Sequence, residues 1–256
     1  MKDAVKVALG FTRTACGHEY DFYAVYNGHG GSQVALACSE RMHLMVAEDV
    51  ARRWPISGSE SVFWRDAMVD SFRKLDAELV AANKHKERIM HDGVEPGFEG
   101  SVGSTALAAV VGEKKIIVAN CGVSQAVLSR GGSAVRLSSD HKANSQDEMQ
   151  RIEEAGGKII GITHSLKPQS RDDKLKPRVI CEPEVTITER AEEDEFLILA
   201  SHGLWDVISN EIACGIVRNC LSTGSTPTEA ASLLTTIAIS RGSRDNISVI
   251  VVQLST

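Results

Sequence analysis

The chain has 256 residues, 43% hydrophobic and 24% charged, which is enough apolar surface for a substantial core and excludes a disordered or fibrous protein. Its 28 lysines and arginines against 34 aspartates and glutamates leave a net charge of −6, and there is no long basic tract, so nucleic acid is not an expected partner. Six cysteines are scattered without a Cys-x-x-Cys pair, the opening residues hold too short an apolar run for a signal peptide, and no later stretch approaches a membrane span. These features predict one domain over residues 1–256, with reduced thiols, in the cytoplasm or nucleus.

Residues 22–26 read as a buried strand feeding a glycine-rich turn, after which Val34, Cys38, Met42 and Met45 recur at helical spacing. A second helix follows Gly58-Ser59, with Trp64, Met68, Phe72, Leu75 and Leu79 on one stripe. Residues 83–103 are polar and without period, which predicts a long loop. Strands are expected at 105–111, 116–121, 126–129 and 134–137 as an antiparallel meander, the last turn made by Gly131-Gly132. Ser145 and Glu148 form a capping box for a helix through Met149, Ile152 and Ala155, stopped by Gly156-Gly157. Residues 161–177 are polar and lysine-rich. Strands return at 185–188 and 196–200, and the charges of 189–195 between them read as a solvated turn. Two late helices follow, the second opened by Thr226-Pro227-Thr228-Glu229, and residues 247–254 end the chain as a strand. Strands in antiparallel runs with amphipathic helices before, between and after them predict two sheets packed together and covered by helices.

Several short motifs carry the chemistry. They are Asn27-Gly28-His29-Gly30-Gly31, Gly103-Ser104-Thr105-Ala106, Asn120-Cys121-Gly122-Val123-Ser124, Ser201-His202-Gly203 and Arg244-Asp245-Asn246, with Leu137 to Lys142 and Glu148 to Gly157 between them. Taken in order, they resemble the signature blocks of the type 2C metal-dependent protein serine/threonine phosphatases, most closely the plant group that works in abscisic-acid signalling. The resemblance spans nearly the whole chain. It implies an α+β fold, a four-layer α-β-β-α sandwich of two antiparallel sheets flanked by helices, in a domain truncated at its N-terminus.

The family's reaction uses two manganese or magnesium ions that polarise the phosphate and generate a hydroxide nucleophile. Such hard cations require oxygen ligands, several of them carboxylates. On this resemblance Asp3, Gly28 and Asp245 match metal-binding positions, and His29 matches the histidine that helps protonate the leaving group. The bridging aspartate of the family, however, is Asn27 here, the Ser-Asp-Gly acid is His202, and the Gly-Asp-Ser acid is Val123. Lys2 replaces an acid and is expected to fray into solvent, Gln125 replaces an arginine, and residues 161–173 are shorter than the family's flap segment. Metal binding is therefore expected to be weak or lost, and the chain to be an inactive or severely impaired phosphatase homologue. No substrate-binding residue is assigned.

Two alternatives accompany this reading. His29, His202 and Asp245 could form a retuned site for a borderline metal such as zinc. Otherwise the shell could serve as a non-catalytic binding protein for phosphoproteins, kinases or abscisic-acid receptors. Plant relatives dock on those receptors through a flap tryptophan, and residues 157–177 contain none, so receptor binding by that mode is not expected.

Overall fold

The computed structural model describes residues 1–54, 58–89, 102–141, 150, 154, 169–170 and 180–254. A five-stranded antiparallel sheet runs in the order β1 (Ala4–Arg13), β2 (Glu19–Tyr26), β5 (Ala106–Gly112), β6 (Lys115–Cys121) and β10 (Glu184–Glu189). A four-stranded antiparallel sheet lies against it, in the order β12 (Val249–Gln253), β11 (Asp194–Ala200), β7 (Gln125–Arg130) and β8 (Ser133–Arg136). Three two-residue strands, β3 (Gly28–His29), β4 (Gly103–Ser104) and β9 (Gln169–Ser170), form a small ladder at one end. The fold is the expected α-β-β-α sandwich.

Strand parity assigns each apolar residue to its layer, because neighbours along a strand point to opposite faces. On β2, Phe22, Ala24 and Tyr26 face α1 (Gln33–Arg53) and α2 (Glu60–Ile89), while Tyr23 and Val25 face the second sheet. The second sheet buries Val127, Phe196 and Ile198 beneath α3 (His202–Trp205), α4 (Asn210–Ser222) and α5 (Pro227–Ser240). The predicted stripe on α2 is fully engaged, since Trp64, Met68, Phe72, Leu75 and Leu79 are all buried. At the start of α5 the capping box is complete: Thr226 Oγ1 accepts the Glu229 N–H at 3.2 Å, and Glu229 Oε2 accepts the Thr226 N–H at 2.7 Å.

Three expectations need correction. The loop predicted from residue 83 is helical as far as Ile89, because a helix already nucleated by its apolar stripe gains one hydrogen bond for each residue added, and Lys84, Lys86, Glu87 and Arg88 are good helix formers. The charged turn at 189–195 is not wholly solvated. Asp194 is buried and accepts from Arg130 Nε at 2.6 Å, and the neighbouring Glu195 accepts from Arg218 Nε at 3.0 Å. The amino terminus is not frayed: the Lys2 backbone N–H donates to Asn246 Oδ1 at 2.7 Å, and β1 follows at once, although the lysine side chain is exposed. Apart from Gln150 and Glu154, the helix predicted through Met149, Ile152 and Ala155 lies outside the described residues, and so does the polar stretch from 161 apart from β9.

Asp49 ties the two outer helices together. Its buried carboxylate accepts from Arg52 at 2.5 Å, Arg53 at 2.6 Å and Lys74 of α2 at 2.8 Å. Burial alone would raise its pKa, but the hydrogen bonds and charges of Lys74, Arg52 and Arg53 outweigh that and hold it below the ordinary carboxylate value. A depressed folded pKa contributes stability that is present above the unfolded value of about 4 and is lost as pH falls through the folded one. Asp49→Asn is therefore expected to cost about 2 kcal/mol at pH 7. That is less than a fully buried pair would lose, because all three cations keep solvent contact. Denaturant melts at pH 7 and pH 3 check this, since the gap between variant and parent should shrink at the lower pH.

Candidate metal-site region

The family motifs converge at the strand ends near β3. Ala4 pairs with Tyr26, which sets Asp3 and Asn27 at adjoining ends of β1 and β2. Gly28 follows, packed so closely on the Lys2 and Gly31 carbonyl oxygens that an added Cβ would collide with both, so this position requires glycine by close approach. The Asn27 carbonyl accepts from the Thr105 N–H at 2.9 Å and from Ser104 Oγ at 3.2 Å, fixing the turn to β4. His29 is buried in β3, opposite Gly103.

Asp3 is the most buried of the predicted carboxylates. Its Oδ2 accepts from Ser248 Oγ at 3.0 Å. Its Oδ1 is buried without a hydrogen-bond partner. The Ser201 hydroxyl lies beside it but is engaged elsewhere, accepting the Ser248 N–H at 2.9 Å and donating to the Asn246 carbonyl at 3.2 Å. Burial raises the Asp3 pKa above the ordinary value, and the nearby Asp245 charge adds to the rise, while Ser201 and Ser248 oppose it. Asp245 itself is exposed, and its Oδ1 accepts the Asn246 N–H at 2.8 Å. The chain thus brings Asp3, Gly28 and Asp245 into one neighbourhood.

The other motif positions carry no carboxylate into it. His202 Nε2 lies 3.0 Å from Asp206 Oδ1, joining the first residue of α3 to the residue that caps its end. Val123 is buried, just after Gly122, whose φ of +141° and tight approach to Thr105 both favour glycine. Gln125 Nε2 donates to Asp140 Oδ2 at 3.4 Å, and Asp140 also pairs with Arg136, so this corner is closed by local partners. Among the described residues, no group of three or more His, Cys, Asp or Glu side chains is placed to hold a metal ion, and His29, His202 and Asp245 do not assemble into one.

Sequence reasoning missed Ser201, Ser248 and Asn246. Ser201 enters only as part of the Ser201-His202-Gly203 motif, yet its hydroxyl reaches across to Ser248 just before β12. The available signal was a serine beside each apolar strand, Ser201 after β11 and Ser248 before β12, and both prove to be buried.

The four-layer architecture is shared with solved phosphatase structures. Among solved structures, the serine-threonine phosphatase 2C from Toxoplasma gondii superposes with a TM-score of 0.74 at 18% identity, covering 99% of this chain and 94% of that one. A C. elegans sex determining protein gives 0.77 at 21% identity, covering 99% of this chain and 64% of its own. The family model for Protein phosphatase 2C matches residues 1–247, and the chain belongs to that metal-dependent family. Probable protein phosphatase 2C 8 of Oryza sativa subsp. japonica is 49% identical over 261 residues, covering 91% of this chain. Protein phosphatase 2C 37 of Arabidopsis thaliana is 40% identical over 284 residues, covering 99% of this chain. The chain spans 62% of the length of the rice relative and 68% of the Arabidopsis one. Among the described residues, no helix is long and apolar enough to cross a membrane.

Proposed function

We propose that this chain is a type 2C phosphatase homologue in which metal-activated hydrolysis of phosphoproteins is lost or severely reduced. The observation that carries the reading is the donor set. Two carboxylates, Asp3 and Asp245, stand where a pair of hard dications would need several, and Asn27 offers one neutral oxygen where a bridging carboxylate is required. The unpartnered Asp3 Oδ1 could accept a single cation, but Asp245 is exposed and spends an oxygen on the Asn246 amide. The residues present do not fit a two-metal centre.

The remaining groups have structural work in this reading. Ser248 holds Asp3 by a hydrogen bond, Asn246 holds the adjoining Lys2 backbone, and Gly28 lets the β3 turn close on Lys2. His29 keeps its place without an activated water to serve. Metal polarisation supplies several kcal/mol of transition-state stabilisation, so losing about 4 kcal/mol lowers turnover about 10³-fold. With a phosphothreonine peptide and excess manganese, the purified chain is expected to turn over about 10³-fold more slowly than an intact relative. A rate within tenfold of that relative rejects the proposal.

A further inference from the structure

Cys121 is the last residue of β6, and its side chain is fully buried on the helix-facing side of the first sheet, in the core that also holds Ala119 and Val185. Its thiol reaches polar partners there. Cys121 Sγ donates to the Ile180 carbonyl at 3.7 Å and to the Glu182 carbonyl at 3.4 Å. Those two carbonyls bracket Cys181, so the sulfur lies against the backbone of a second cysteine. A trans peptide holds a carbonyl oxygen about 2.8 Å from the next Cα, which puts the Cys121 sulfur within about 6.5 Å of the Cys181 Cα.

The sheet explains the approach. β10 pairs with β6 so that Glu184 stands opposite Asn120 and Val185 opposite Ala119. The ladder ends at Pro183, which brings no N–H to continue it. Residues 180–182 are held beside β6 by side chains instead. Arg73 of α2 pairs with Glu182 at 2.7 Å and also interacts electrostatically with the Cys181 sulfur, which sets that thiol toward α2, the side on which Cys121 is buried. Both cysteines are thiols, Cys121 buried and Cys181 partly exposed, so a small oxidant in solvent reaches Cys181 first. Because residues 180–183 carry no strand pairing, Cys181 can close the remaining gap without breaking a ladder.

We propose that Cys121 and Cys181 form a redox modification site, at which hydrogen peroxide joins them in a reversible disulfide across the β6–β10 junction. The peroxide gives one oxygen to the Cys181 sulfur, making a sulfenic acid, and its other oxygen leaves as water. The Cys121 sulfur then attacks the Cys181 sulfur, and the sulfenic hydroxyl leaves with the Cys121 proton as a second water. Two thiols lose two electrons, and the peroxide takes them up. The bond ties the entry of β10 to the end of β6, next to Gly122, and it is of the transient kind that a reducing compartment permits.

The test uses the full chain carrying Cys16→Ser, which removes the exposed cysteine and with it bonds between chains. After a few equivalents of hydrogen peroxide and alkylation, a tryptic digest without reductant should contain one linked pair of peptides, holding Cys121 and Cys181 and about 2 Da lighter than the two thiol peptides together. The linked chain should melt about 5 °C higher, and dithiothreitol should reverse the rise. Cys181→Ser should abolish both effects while melting as the reduced parent does, because the position is partly exposed. In Cys121→Ala the reaction should stop at the sulfenic acid, trapped by dimedone on Cys181. Thiols left intact by the peroxide, a bond from either cysteine to Cys38, Cys214 or Cys220 in comparable yield, or a dimedone adduct absent from Cys181 would each overturn the proposal.

Discussion

Asn27→Asp combined with His202→Asp is expected to raise apparent manganese affinity about 100-fold, as read by calorimetry. One carboxylate about 4 Å from a dication gains roughly 8 kcal/mol at an effective dielectric near 20, and the cost of desolvating the carboxylate removes most of that. Aspartate at 27 would stand at the strand end beside Asp3, with its backbone already fixed by Thr105 and Ser104. Aspartate at 202 would release Asp206 from its present partner. Activity should return less than affinity does, because Val123 and Gln125 remain. A double variant that binds no more tightly than the parent would show that missing charge is not what limits the site.

Trp64→Ala should produce the largest loss of stability. Trp64 is fully buried between α2 and the first sheet, with ring centroids 4.8 Å from Tyr20, 5.6 Å from Phe63 and 5.8 Å from Trp54. Its truncation removes the hub of this aromatic cluster and leaves a cavity, at a cost of about 3–5 kcal/mol, or about 10 °C in Tm for a domain of this size. Trp64→Phe should recover more than half of the loss, because it restores one aromatic ring and gives up the rest of the indole with its long 3.4 Å contact to Glu60. Calorimetric melts of the two variants check both statements.

The layers were legible where periodicity met burial. The α2 stripe and the Thr226–Glu229 box could be read from spacing, and the strands from Ala106 to Arg136 from apolar, β-rich runs separated by glycine-containing turns. β1 could not. Its helix-facing side carries Ala4, Lys6, Ala8 and, past a register shift, Phe11, while Val5 and Val7 stand half-exposed on the other side, so no clean alternation marks the buried face. The end of α2 was hidden for the opposite reason, because its stripe stops while the backbone ladder continues.

The site was legible as a set of motifs but not as a geometry. Asp3, Gly28 and Asp245 could be chosen because short blocks named them, yet their proximity depends on β1 and β12 ending side by side. Nothing local in the sequence announces that. Asn246 shows the limit most plainly. It follows a predicted ligand, but its Oδ1 accepts from Lys2 at the far end of the chain, a contact created only by folding.

Too few anionic oxygens remain to hold a pair of dications, and manganese titrated calorimetrically into the purified, unsubstituted chain should show no saturable binding of two ions at millimolar concentration. Two ions per chain bound at micromolar concentration would contradict it.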